Sequence, residues 1–157
     1  EGTLEPWMLA ACEARSRNLL LGQALTATSS SVNGGDVAQN AFDGFESTRC
    51  MCKNDDPAPA LTVELKKPIP ASTLVLNTHC TSPALLGIHD RITRISVRVN
   101  RAKEPIEAEA DPDELEPITI ALGKGASVQR LEIRILGRAQ GTQWPGYAGF
   151  TEVARER

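Results

Sequence analysis

"ITRISVRVN", residues Ile92 to Asn100, is the stretch on which the fold turns. Ile92, Ile95, Val97 and Val99 are apolar, whereas Arg94, Ser96, Arg98 and Asn100 are polar. A period of two belongs to a strand with one face on a core and the other in water. The alternation slips by one residue near Thr93, which predicts a β-bulge. The same period recurs on both sides. "LTVEL" puts Leu61, Val63 and Leu65 on one face, and "TLVLNT" follows after the Pro-marked connection "KKPIPAS". "PIEAEA" and "EPITIAL" flank the loop "DPDEL", "SVQRLEIRIL" alternates again, and a Gly-rich loop leads to "FTEVA". Many short strands separated by turn chemistry predict an all-β, antiparallel sandwich of jelly-roll type.

The N-terminal part reads differently. Within Glu5 to Leu21, the residues Trp7, Leu9, Ala10, Ala14 and Leu19 recur at helical spacing, Pro6 suits a first turn and Gly22 ends it. The expected organisation is a helical segment over 1–21 and a β-sandwich over 22–157, with no internal repeat. A polar, small-residue stretch follows the helix, with Asn33-Gly34-Gly35-Asp36 as a loop.

The totals exclude several classes. The chain has 157 residues, enough for one domain with a real core, and a formal net charge of −3 from 17 basic and 20 acidic residues. No Lys/Arg run forms a phosphate-neutralising patch, so nucleic acid is not an expected partner. The apolar stretches are far shorter than the roughly 18 to 20 residues of a membrane span, so no direct membrane insertion is expected. No signal-peptide pattern opens the chain, whose first residue is Glu, and the expectation is a domain excised from a larger protein.

Strand parity then locates a site. If successive strands run antiparallel, four loops open at one pole: Arg49 to Ala60, His79 to Arg91, Asp111 to Glu114, and Gly137 to Gly146. They and their margins carry Arg49, Asp55, Asp56, His79, His89, Arg91, Trp144 and Tyr147. The opposite connections, "KKPIPAS", "RAKE" and "GKGA", are short and bland. Loops on a rigid scaffold carry function disproportionately, so the ligand site is expected at the loaded pole. Trp144 and Tyr147 offer ring faces for stacking on a pyranose, and Arg91 offers a two-point clamp. The bland alternatives are a Trp144 that plugs the sandwich and a His89-Asp90-Arg91 corner that merely starts a strand.

The stretch "AFDGFESTRC" adds a second feature. Asp43-Gly44 is a turn signal, and Glu46, Ser47 and Thr48 crowd oxygens around it. Such a turn either stabilises itself or converges oxygens on a hard cation.

In order and spacing, "NLLLGQALTATSSS", "AFDGFESTRC" and "PALTVELKKPIPASTLVL" resemble the opening of discoidin-like, galactose-binding-like β-sandwich domains. The second half is similar to the glycan-binding domain of NADase type. It carries that branch's Gly87-Ile88, the strand Arg91 to Val99, the acidic turn Asp111 to Glu116 and the closing "GTQWPGYAGFTEV". The resemblance covers roughly residues 18 to 154. In one departure, the aromatic that the family carries after the Thr is Cys50 here. The resemblance implies a non-catalytic module that binds sugars, lipid head groups or proteins through its end loops, as part of a larger protein. It also implies a strand in the small-residue segment. A structural Ca2+ would lie between Asp43, Thr48 and Glu152, with backbone carbonyls near Asn40 and Glu46. A carbohydrate, such as a cell-surface glycan, is the expected partner, with a protein–protein or assembly role as the alternative. The expected location leans towards the extracellular, cell-surface or periplasmic side.

An enzyme is not expected. No Gly-x-Ser-x-Gly elbow, His-Glu-x-x-His pair or phosphate-cradling loop occurs, although Cys50 or Cys52 with His79 would form a nucleophile–base pair if their loops touched. The four cysteines, Cys12, Cys50, Cys52 and Cys80, leave three readings open. They are free thiols, a disulfide from Cys80 to Cys50 or Cys52, or a zinc site at Cys50, Cys52, His79 and Cys80.

Overall fold

The structure, a computed structural model, describes residues 20, 22–45, 47–78, 87–112, 116–143, 146 and 148–156. The helix expected over 5–21 lies outside the described residues except for Leu20, which is buried.

Nine strands are described: β1 Leu25–Ser29, β2 Cys50–Met51, β3 Ala60–Pro70, β4 Thr73–Thr78, β5 Arg91–Val99, β6 Ile106–Glu109, β7 Ile118–Ala121, β8 Ser127–Ala139 and β9 Gly149–Glu156. They form a five-stranded sheet in the order β1-β3-β8-β5-β6 and a four-stranded sheet in the order β2-β9-β4-β7. Every pairing between them is antiparallel. The expected all-β antiparallel sandwich is therefore observed. Among the described residues no helix is long and apolar enough to cross a membrane.

The alternation read from the sequence decides which side chains are enclosed. Leu61 and Val63 on β3, Ile95 and Val97 on β5, and Leu131 and Ile133 on β8 join Leu74 and Leu76 on β4 and Val153 on β9 in one core. Each of these side chains is at most 2% exposed. Burying one such side chain is worth about 1.5–3 kcal/mol, which makes this pattern the dominant constraint on register.

The slip near Thr93 is real, since the β5–β8 register shifts between Ile92 and Arg94 and again between Arg94 and Ile95. A Cβ on Gly137 would lie 2.6 Å from Thr93 Oγ1, so the bulge needs glycine opposite it.

Three local features depart from the sequence reading. The Pro-marked connection is not a loop, because β3 continues to Pro70. Its pairing with β8 is lost between Glu64 and Ile69, where the missing N–H of Pro68 costs no ladder bond, and Ile69 is buried again. The small-residue segment contains the strand β1, as the family resemblance implied, although Ala27 is its one buried position. A 3₁₀ helix, Ala38–Phe42, and the two-residue strand β2 carry too few residues to show a period.

Pairing fixes the poles. Ala60 faces Arg134, Arg91 faces Ala139, and Thr78 faces Phe150. The starts of β3, β5 and β9 thus lie with the ends of β4 and β8 at one pole, as parity required.

Candidate functional site

At the loaded pole the loops are tied to one another by named bonds. The N–H groups of Thr142 and Gln143 donate to the carbonyls of Gly87 (2.8 Å) and Ile88 (3.1 Å). The buried Asp90 carboxylate accepts from the Gly141 N–H at 2.8 Å. A Cβ on Gly141 would collide with the backbone carbonyl of His89, so only glycine permits this approach. Further round, Arg91 Nη1 donates to the Pro112 carbonyl (3.1 Å), and Arg138 Nη1 to the Gly146 carbonyl (2.7 Å). Gly146, at φ +88°, backs onto Asn54, whose Cβ would be 2.6 Å from an added Cβ.

Inside this frame stands a polar triad. Arg49 Nε donates to Asp36 Oδ2 at 3.3 Å, and Arg49 Nη1 lies 3.3 Å from His89 Nε2. A guanidinium only donates, so Nε2 accepts and the His89 proton sits on Nδ1. Burial and the Arg49 charge hold the His89 pKa below its ordinary 6.5, against the opposing pull of Asp36 and Asp90. His89 is therefore neutral at pH 7. Asn40 Nδ2 donates to the Arg49 carbonyl (2.9 Å) and so places the backbone from which the guanidinium projects. Among the described residues two of the five guanidinium donors are used, which leaves Arg49 capacity for a further acceptor.

Arg49, His89 and Arg91 of the expected ligand set thus lie on one loop cluster. Asp56 has a bracing part: its carboxylate accepts from Ser30 and Ser31 at 2.5 Å each and from the Ala58 N–H at 3.0 Å. The two serine bonds pull its pKa below the ordinary carboxylate value. Asp55 is exposed. His79, Trp144 and Tyr147 lie outside the described residues. Asp36 was missed by the sequence reading, as was Gly141. Asp36 closes an Asn-Gly-Gly-Asp loop that looked like solvent-facing turn chemistry, and nothing local shows Arg49 beside it.

The second feature is the turn after the 3₁₀ helix. Asp43 Oδ1 accepts from the Phe45 N–H (2.8 Å) and Oδ2 from the Thr48 hydroxyl (2.7 Å). Glu152 on β9 is buried, and its Oε2 accepts from the Gly44 N–H at 3.1 Å across 108 residues. The Phe45 N–H bond to Asp43 is the self-stabilising turn that the sequence allowed, and Glu152 is enclosed beside it. Two carboxylates and a hydroxyl converge on one turn, a hard-oxygen set of the kind Ca2+ takes. Both Asp43 oxygens and Glu152 Oε2 accept these bonds within the turn. The Asn40 side chain is engaged with the carbonyls of Gly35 and Arg49, and Glu46 lies outside the described residues.

Cys50 and Cys52 are buried free thiols. Burial, followed by Cys52 and Asp36, pushes the Cys50 pKa up to about 12. Among the described residues no group of three His, Cys, Asp or Glu gathers as a metal site, and His79 and Cys80 lie outside them.

Fold and site geometry define a class: a two-sheet antiparallel β-sandwich with a polar loop cluster at one pole. No protein-family model matches the chain, and no curated protein matches it in sequence. Solved structures do. The family 32 carbohydrate-binding module of NanJ from Clostridium perfringens, in complex with galactose, matches with a TM-score of 0.66 at 22% identity, covering 90% of this chain and 95% of that one. A family 32 module of CpGH89 from the same organism, in complex with GalNAc-β-1,3-galactose, gives 0.65 at 19% identity over 85% and 95%. A Streptococcus pneumoniae fucose-binding module gives 0.62 at 16% over 89% and 94%. The chain shares their fold across nearly its whole length.

Proposed function

We propose that this domain is a non-catalytic carbohydrate-binding module that holds a glycan on its end loops. The observation that carries the reading is the Asp36–Arg49–His89 triad, set among loops locked together by Asp90 and Gly141. A guanidinium braced by a carboxylate and a neutral imidazole offers directed hydrogen bonds to vicinal hydroxyls at little ordering cost. Of the three solved structures compared above, two are sugar complexes and one is a fucose-binding module, which supports the ligand class. Trp144 and Tyr147 are the proposed stacking rings. A module role also suits Cys50, whose thiol stays protonated at neutral pH and is no nucleophile. The domain belongs by this reading to a larger glycan-directed protein on the outer side of the cell.

Ca2+ is the proposed structural ion of the Asp43 turn, where it ties the 3₁₀ region to β9. The ligand test is titration of a glycan array followed by calorimetry on the best hit. Arg49→Ala is expected to weaken binding roughly 10- to 100-fold, the worth of a charged hydrogen bond. Trp144→Ala is expected to abolish it. Silence towards every sugar, with a dimer in solution, supports the assembly role instead.

A further inference from the structure

The outer face of the five-stranded sheet carries a concentration of arginine that reaches from Arg134 near the loop pole to Arg101 at the opposite one. Arg98 on β5 and Arg130 and Arg134 on β8 project from neighbouring strands, and Arg101 follows directly on the end of β5. Three of the guanidiniums meet two carboxylates, and a third carboxylate, Glu107 of β6, lies on the same face opposite Ser96. Glu64 pairs with Arg130 and lies 3.8 Å from Arg101, while Glu132 pairs with Arg134 at 2.6 Å. The patch is therefore cationic on a chain whose net charge is −3. Two adjoining clefts open on it: one between Glu64, Arg101, Gln129 and Arg130, the other between Arg98, Arg101, Arg130 and Glu132. Arg101 and Arg130 line both. Among the described residues the buried Arg98 Nε makes no hydrogen bond.

The backbone adds an independent sign. Asn100 and Arg101 both take left-handed conformations, at φ 50° and 62°, in a turn closed by the Ala102 N–H on the Val99 carbonyl (2.9 Å). Asn100 compensates with its side chain, which accepts from the N–H groups of Gln129 (2.8 Å) and Arg130 (3.1 Å) and donates to the Ser127 carbonyl (2.8 Å). Arg101 has no such return. Its side chain is 79% exposed, yet it holds a conformation that costs an L-residue about 1–2 kcal/mol and that glycine would adopt freely. A strained, exposed arginine over a cationic cleft is a place to look for a ligand.

We infer that this face is a second binding site, for an anionic polysaccharide, whose carboxylate or sulfate groups pair with Arg98, Arg101 and Arg130. Guanidinium forks match such oxyanions in two-point fashion. The exposed Gln129 amide in the same cleft suits sugar hydroxyls, which a charge-only surface would not. β5 runs from Arg91 at the loop pole to Asn100 at the cleft, about 30 Å at the usual rise per residue. The cleft and the Arg49 cluster therefore lie towards opposite ends of β5, as two separate sites.

The test uses affinity electrophoresis and calorimetry with polygalacturonate, dextran sulfate and neutral dextran at low and moderate salt. The protein is expected to bind at least one polyanion in a salt-dependent way and to ignore dextran; the ranking of the two identifies carboxylate or sulfate as the preferred group. Arg101→Gly is expected to raise the melting temperature by relieving the turn while weakening polyanion binding about tenfold. Arg98→Gln with Arg130→Gln provides the second variant. Arg49→Ala at the loop pole should leave polyanion binding intact, so the two sites fail separately. The inference is overturned if no polyanion binds, if Arg101→Gly binds like the parent, if Arg49→Ala removes the binding, or if poly-glutamate binds as tightly as both glycans.

Discussion

His89 links the loop cluster to pH. Its folded pKa lies below the ordinary 6.5, because burial and Arg49 disfavour the charged ring. Below that pH the unfolded chain takes up the proton more readily than the folded one, so stability is complete above about pH 7.5 and declines as the pH falls through 6.5. Melting curves between pH 8 and 5 should show this slope, and His89→Gln should flatten it. The lowered pKa of Asp56 acts only further down, near and below its ordinary 3.8. Cys50 provides a second residue-level expectation. With a pKa near 12 it should react with a thiol reagent at pH 8 far more slowly in the folded protein than in denaturant, and equal rates would show an open β2 edge.

At the scale of elements, the loops depend on close backbone approach more than on side chains. Gly141→Ala forces the 140–143 segment away from His89 and should cost about 1–3 kcal/mol by denaturant unfolding, with weaker glycan binding as well. In the core, Leu131→Ala on the central strand β8 should cost about 2–5 kcal/mol with no change in ligand specificity, since Leu131 is fully buried away from the poles. These two variants separate damage to the site from damage to the scaffold. The strands β3, β4, β5 and β8 were legible in the sequence because each alternates a dry face with a wetter one, and β9 by its alternation of residue types although it is buried on both faces. β1, β2 and the 3₁₀ helix were not, because one or two enclosed side chains generate no measurable period.

For the whole molecule, the proposed ion makes a global claim. Glu152 reaches the Asp43 turn across 108 residues, so a cation there would tie the last strand to the first third of the chain. Saturating Ca2+ should raise the melting temperature by roughly 5 to 10 °C over chelator, the shift expected when ligand exceeds its dissociation constant about 100-fold. Asp43→Ala should remove the response. A melting temperature indifferent to Ca2+ would leave the turn held by its own hydrogen bonds alone.

The amino-acid order by itself settled the strand faces, the antiparallel sandwich and the pole at which the loops gather, because period and parity are one-dimensional properties. It did not reveal that Asp36 stands beside Arg49, that Asp56 braces two serines, or that arginines from β5 and β8 crowd one outer face. Those pairings join residues 13 to more than 30 positions apart, and only the folding of loops onto one another and the sheet register bring them within a few ångströms.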